Sequence, residues 1–257
     1  MINQLQQNIY EKFKILQTVP GWGVLEQDGL LALKSPLGHA FFNFMWGTAE
    51  SASIARAKAF YDGLPFTWLL DEGAGDAPLL EAGFALSDTL PDMVFRMDGY
   101  TFPGQAPGIT CIRAYGSHDL RTWAVTAGEA FGLDSALVRD FYLPMVRQAG
   151  CVPILALCDG VPAATALASC GAAATGIYTV GTREPFRRRG LARSVVHACL
   201  RLAQHHGSQR AMLSASSMGL PVYAKMGFRV ERTMREYVHQ PSARQGGENP
   251  GTTPDLL

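Results

Sequence analysis

Little in this chain of 257 residues marks it for a membrane, an exported compartment or a polyanionic partner. No uninterrupted apolar run approaches the ~20 residues that a spanning helix needs. The start, Met1-Ile2-Asn3-Gln4-Leu5-Gln6-Gln7, has no basic region followed by an apolar stretch, so it lacks the pattern of a secretion signal. An excess of either charge is also missing, because 22 Lys and Arg balance 22 Asp and Glu. A global field that would favour nucleic acid or a membrane surface is thereby excluded. Cysteine is scarce: Cys111, Cys151, Cys158, Cys170 and Cys199 are odd in number and lack metal-ligand spacing. They read as buried or incidental thiols of a reducing cytoplasm, and none has the Cys-His context of a nucleophile. A hydrophobic content of 47% with 17% charge rules out a disordered chain.

What the chain does have is concentrated in residues 174–200. Ile177-Tyr178-Thr179-Val180 carries the branched and aromatic side chains of a strand. A polar turn follows, then Phe186-Arg187-Arg188-Arg189-Gly190-Leu191-Ala192. From Leu191 the apolar positions Val195, Ala198, Cys199 and Leu202 fall at helical spacing. The order is strand, basic glycine-containing loop, helix. A helix's first turn leaves N–H groups without internal partners, and the macrodipole adds partial positive charge. Gly190 and Ala192 keep that turn bare, so the arrangement suits a pyrophosphate held by main chain and arginines. Arg183, Arg187, Arg188, Arg189 and Arg193 crowd the loop, yet apart from Phe186 no interleaved aromatic residues accompany them as a nucleic-acid surface would require.

The spacing Arg187-x-x-Gly190-x-Ala192 resembles the acyl-CoA signature [Q/R]-x-x-G-x-[G/A] of the GNAT superfamily of N-acetyltransferases. Val180-Gly181-Thr182 stands where that family's fourth strand splays and offers backbone to the pantetheine arm. Tyr223-Ala224-Lys225-Met226-Gly227-Phe228 resembles the family's Y-x-K-x-G-F segment. The resemblance implies an α/β fold with a mixed central sheet flanked by helices. It also implies acetyl-CoA as co-substrate, no metal, and direct acetyl transfer to a primary amine. The acceptor expected is a small molecule rather than nucleic acid or membrane; an acyl-CoA sensor without turnover and a protein acetyltransferase are the alternatives. The amides of Arg188, Arg189, Gly190, Leu191, Ala192 and Arg193 would cradle the pyrophosphate, with Arg187 adding charge. Val180 to Thr182 would polarise the thioester carbonyl in an oxyanion-type contact.

The rest of the chain reads as two related halves. Residues 2–17 suggest a helix, and runs at 23–25, 30–33 and 40–45 suggest strands, with Asp28-Gly29 a hairpin turn. Residues 50–61 suggest a helix with Thr48 as N-cap, 66–70 a strand, 78–82 a short helix ending at Gly83-Phe84, and 93–97 a strand. In the second half, 109–114 is a strand, Ser117 or Asp119 and then Ser135 begin helices, and Asp159-Gly160 turns a hairpin. Residues 211–215, 220–225 and 228–238 then give strand, helix and a strand closing the sheet. Gly83-Phe84 aligns with Gly227-Phe228 and residues 66–70 with 211–215, which suggests a degenerate repeat; loose self-similarity of any α/β sequence is the competing reading. The expected division is 1–98 as a degenerate N-terminal lobe, 99–108 as linker, 109–239 as the catalytic lobe and 240–257 as a flexible tail.

Tyr223 is the expected catalytic residue. The family's tyrosine protonates the departing thiolate in many members, and a phenol within reach of the sulfur can do this. The alternative is a tyrosine that only covers the sheet edge. A general base is not evident: residues 177–180 contain no carboxylate, and Glu129, Asp134, His118 and Ser216 are the remaining polar candidates for an acceptor site.

Overall fold

The computed structural model describes residues 4–241. The first half runs α1 (Gln4–Leu16), β1 (Gly23–Gln27), β2 (Leu30–Lys34), β3 (Phe44–Trp46), α2 (Ser51–Tyr61), β4 (Phe66–Asp71), α3 (Ala77–Glu81) and β5 (Ala85–Arg96). The second runs β6 (Ile109–Arg113), α4 (Gly116–Phe131), α5 (Ser135–Val146), β7 (Cys151–Cys158), β8 (Val161–Ser169), β9 (Ala174–Thr182), α6 (Leu191–His205), β10 (Arg210–Ser214), α7 (Leu220–Met226) and β11 (Arg229–His239). All strands join one mixed sheet of 11 strands in the order β1-β2-β3-β4-β11-β5-β10-β9-β8-β7-β6.

That order holds the central feature. β11 does not close the sheet of its own half, as its sequence position suggests. It lies between β4 and β5, while β5 lies between β11 and β10. Each half therefore contributes its last strand to the other. β11 pairs antiparallel with β5 from Arg229↔Val94 to Val238↔Ala85, and with β4 from Met234↔Asp71 to His239↔Phe66. The strand expected at 93–97 accordingly begins much earlier, at Ala85. Ser87, Asp88 and Pro91 mimic a turn in sequence, but Pro91 needs no N–H donor here and its carbonyl accepts from the Ala215 amide (2.8 Å).

Alternation along the strands sorts two helical layers. Leu155, Leu167 and Met234 face α1, α4 and α5, in a core with Phe13, Trp123 and Phe141. On the opposite face, Ile154, Ala156 and Ala166 pack under α6, and Trp68 and Leu70 pack under α2 and α3. Residues 97–108 are strapped to α6. Gln204 Nε2 donates to the Tyr100 carbonyl (3.0 Å), and the Arg201 guanidinium stacks 4.5 Å from the Phe102 ring.

Both hairpin turns have the two left-handed residues of a type I′ turn, Asp28-Gly29 (φ 51°, 77°) and Asp159-Gly160 (φ 50°, 83°). Several local expectations give way to tertiary structure. The strand expected at 40–45 splits into a 3-10 turn at Ala40–Phe42 and β3. The cause is buried Asn43, whose side chain accepts from the Ser35 amide (2.8 Å) and donates to the Leu37 carbonyl (2.8 Å). Glu50 rather than Thr48 precedes α2, and Tyr115 precedes α4, neither with a side-chain cap. Asp134, not Ser135, caps α5, accepting from Ala136 N at 2.6 Å. The expected tail lies outside the described residues from position 242, as does the start of the first helix at Ile2.

The exchange predicts that residues 1–98 and 99–257, expressed separately, each remain unfolded or aggregated because each exposes an unpaired central strand edge. Co-expressed, they should copurify as a 1:1 complex with the far-UV circular dichroism of the intact chain. Two fragments that each melt cooperatively alone would contradict this.

Candidate functional site

The sheet opens at one place. β9 pairs in parallel with β10 only at Ala174, Thr175 and Gly176, opposite Arg210, Ala211 and Met212. Beyond that it follows β8 as far as Thr182, while Leu213 and Ser214 continue along β5. A bulge causes the divergence. The register with β8 slips between Thr165↔Gly181 and Leu167↔Tyr178, so Thr179 and Val180 together face Ala166. Thr179 has φ 54°, a left-handed conformation that a β-branched residue adopts at a cost of about 1–3 kcal/mol. Two contacts hold it there: Thr165 Oγ1 donates to the Thr179 carbonyl (3.0 Å) and Thr179 Oγ1 donates to the Tyr142 hydroxyl (2.7 Å). At Gly181 a Cβ would lie 2.7 Å from the Phe131 ring, so glycine is what lets α4 approach the diverging strand. Val180 packs against the core under α6. The Thr182 hydroxyl oxygen is buried and has no protein partner among the described residues, as a polar atom reserved for a ligand would be.

The first half has no counterpart to this opening. β3 pairs with β4 through its last residue, Trp46↔Leu69, and Trp68 Nε1 donates to the Gly47 carbonyl just beyond (3.1 Å).

After β9 the chain makes a 3-10 turn, Glu184–Phe186, and enters the basic loop. Arg188 (φ 62°) and Gly190 (φ 83°) are left-handed on either side of Arg189. Among the described residues the amides of 188–193 meet no backbone acceptor, and the first helical bond runs from Ser194 N to the Gly190 carbonyl (3.0 Å). Alternating handedness with unpaired amides is the geometry of an anion-binding nest, placed here at the positive end of α6. Gly190 is required for conformation rather than for room, because a Cβ there would meet nothing within 4 Å. Arg187, Arg188, Arg189 and Arg193 are exposed. Arg187 Nε donates to the Thr182 carbonyl (3.3 Å), and Arg183 and Arg189 stack on Phe186 at 5.5 and 5.6 Å. Ala192 is half-buried, and Leu191 is buried in the core that anchors the helix.

Tyr223 stands on α7 with its ring in the same core as Leu191 and Val195, which places it on the α6 face of the sheet. Its hydroxyl makes no hydrogen bond among the described residues. Burial, with a smaller contribution from Cys199, pushes its pKa up to about 12, so it is a proton donor at neutral pH. A structural twin shows what is particular about it. Phe228 N bonds the Tyr223 carbonyl and Phe84 N bonds the Leu79 carbonyl, both at 3.0 Å, with Gly227 (φ 99°) and Gly83 (φ 84°) left-handed between them. The first half thus has Leu79 where the second has a phenol.

The polar candidates separate. His118 and Glu129 line one groove of about 340 Å³ with Arg121, Thr122, Val125 and Arg183, where α4 meets the ends of β8 and β9. Glu129 is ion-paired with Arg183 there. Asp134 is spent as a cap, and Ser216 shapes the turn before α7, its Oγ accepting from Gly219 N (3.3 Å). The sequence reading missed a pair: Ser214, at the lip of the opening, donates to Asp92 Oδ1 (2.5 Å), and Arg232 Nε donates to Asp92 Oδ2 (3.2 Å). Their 122-residue separation leaves no local signal. A larger cavity of about 770 Å³ runs along the outer side of α6, lined by Phe102, Arg113, Arg193, His197 and Arg201. All five cysteines are free, and burial raises the thiols of Cys111 (to about 11) and Cys199, which disfavours a nucleophilic thiolate. Among the described residues no cluster of three or more His, Cys, Asp and Glu could hold a metal, and no helix is long and apolar enough to cross a membrane.

Comparison with known proteins bears on the fold. Residues 118–228 match the family model of the acetyltransferase (GNAT) family. No curated protein sequence matches the chain. Among solved structures, a GCN5-related N-acetyltransferase from Kribbella flavida superposes with a TM-score of 0.65 at 20% identity, covering 93% of this chain and 95% of its own. One from Sphaerobacter thermophilus gives 0.64 at 17%, covering 88% and 84%. A tandem GNAT protein from the clavulanic acid biosynthesis pathway gives 0.57 at 12%, covering 88% and 85%. At these identities the likeness is one of fold.

Gly190→Val should abolish acetyl-CoA binding measured by calorimetry, since a β-branched residue at this φ is strained by about 1–3 kcal/mol and reshapes the nest. Arg187→Ala should cost only about 1 kcal/mol of affinity, because the amides remain. A folded Gly190→Val protein with unchanged affinity would contradict the assignment.

Proposed function

We propose that this chain, whose residues 118–228 match the family model of the acetyltransferase (GNAT) family, is a GNAT acetyltransferase whose second half moves an acetyl group from acetyl-CoA directly to the primary amine of a small molecule. The observation that carries this reading is the coincidence, in one half only, of a strand opening, an amide nest and a buried phenol. The first half repeats the order of elements, but its β3/β4 pair is closed and Leu79 replaces the tyrosine. We therefore assign residues 109–239 as the catalytic lobe and 1–98 as a degenerate lobe that shapes the site.

In this mechanism the amides of 188–193 hold the pyrophosphate, and the exposed arginines add salt-sensitive attraction. The pantetheine arm lies in the opening, where Val180 and Thr182 offer backbone and the orphan Thr182 hydroxyl gains a partner. The amine attacks the thioester carbon. The C–N bond forms, the C–S bond breaks, and the Tyr223 hydroxyl gives its proton to the departing sulfur. The phenol then recovers a proton from the amide nitrogen by way of solvent. A phenol at about 12 remains a donor throughout the physiological range, so it should produce no alkaline loss of activity below roughly pH 10. The free thiols fit a reducing cytoplasm.

Turnover is tested with n-butylamine, benzylamine and glycinamide as acceptors. Tyr223→Phe keeps the ring and its packing, so melting temperature and acetyl-CoA affinity should hold while kcat falls roughly ten- to a thousandfold. Equal turnover at saturating substrates, with chemistry rate-limiting, would remove Tyr223 from the role of acid. Acetyl-CoA bound without acetylation of any amine would favour the sensing protein, which the absence of a carboxylate from residues 177–180 allows.

A further inference from the structure

We propose that Ser214 and Asp92 form the subsite that receives the acceptor amine, so that the first half supplies part of the second half's reaction centre. The inference rests on the acetyltransferase reading above and adds a residue pair to it.

Three observations place the pair. Ser214 ends β10 two residues beyond Met212, the last residue of β10 paired with β9, so it stands on the lip of the opening. Ser214 is exposed, whereas Asp92 is only 3% exposed and reaches solvent chemistry through the serine. Alternation fixes the face. Met212 packs with Leu5, Val94 and Tyr178 under α1, so Ser214 and Asp92, two residues along each strand, share that face. Leu213 and Ala215 turn the other way, into the core that contains Tyr223. A thioester in the opening would thus have the phenol on one face and the Asp92–Ser214 pair on the other. The separation lets an amine add to one face of the carbonyl while the sulfur meets a proton donor from the other side.

The hydrogen-bond inventory then sets what the pair can bind. A serine hydroxyl has one hydrogen, and Ser214 donates it to Asp92 Oδ1. What it presents outward is lone pairs alone. Such a group accepts from an N–H and has nothing to donate to a second acceptor. The charge agrees: Arg232 bridges Asp92 and Asp71, leaving the three side chains with a net charge of one negative. That suits an ammonium on arrival, which gives one proton to solvent before its nitrogen attacks. An amine whose N–H points at Ser214 has its lone pair free to turn to the carbonyl carbon. Ser214 touches the substrate; Asp92 is a positioning residue that keeps the hydroxyl turned.

The test is steady-state kinetics with the same three amines, after calorimetry has shown that each variant binds acetyl-CoA as wild type does. Ser214→Ala should raise the amine KM roughly ten- to a hundredfold, the value of a hydrogen bond to a charged group, and leave the acetyl-CoA KM unchanged. Ser214→Thr, which keeps the hydroxyl, should restore most of the loss. Asp92→Asn should raise the amine KM too, because the amide can donate to the hydroxyl and turn its hydrogen outward. In the double variant Asp92→Asn/Ser214→Ala the KM should match that of Ser214→Ala alone, since Asp92 acts through the serine. An unchanged amine KM in Ser214→Ala, or effects that multiply in the double variant, would overturn the proposal. So would a wild-type protein that binds acetyl-CoA yet neither binds nor acetylates any of the three amines. Failure to bind acetyl-CoA at all would instead refute the acetyltransferase reading on which the subsite depends.

Discussion

The antiparallel pairing of β5 with β11 is the interaction on which the remainder of this structure depends. The two strands run together from Arg229↔Val94 to Val238↔Ala85, and each is flanked on its other side by a strand of the opposite half. Neither half can complete its sheet alone, and the backbone groups at its open edge would cost free energy without partners. The exchange also moves side chains between halves. Tyr237 of β11 is buried with Trp68 and Leu79 in the core of the first half, and Asp92 of β5 meets Ser214 at the edge of the opening in the second. Stability and the proposed reaction centre are thus tied to the same pair of strands.

Against that shared frame, small differences decide which half is open. The two halves follow the same order of strands and helices and end their short helices with the same carbonyl-capping bonds before Phe84 and Phe228. One bulge separates them in geometry. The left-handed Thr179 carries β9 away from β10, whereas β3, three residues long, stays on β4 to its end. The strain at Thr179 is offset by the hydroxyls of Thr165 and Tyr142, which are placed by β8 and α5. Backbone strain held at the opening in this way would, on the proposed function, preorganise it before any ligand arrives.

Elements with strong local signals were legible in the sequence. Asp28-Gly29 and Asp159-Gly160 specify their turns by conformation alone, and the apolar period after Leu191 gives α6. The Arg187 to Ala192 spacing located the nest, although the reason for Gly190 is its φ of 83° rather than space. What could not be read depends on long-range pairing. Ser87, Asp88 and Pro91 look like a turn and lie in a strand because β11 covers them. Thr179 has a strand former's side chain in a conformation that local propensity disfavours, so only the surrounding contacts specify the bulge. Asp92 acquires its meaning from a residue of the other half.

The central claim is that the opening and nest of the second half, and not the closed pair of the first, receive acetyl-CoA. Hydrogen–deuterium exchange of the intact chain with and without acetyl-CoA measures this residue by residue. The account predicts slowed exchange across residues 177–182 and 188–193, with residues 44–50 unchanged. Protection at 44–50, or unaltered exchange at 188–193 under saturating acetyl-CoA, would contradict it.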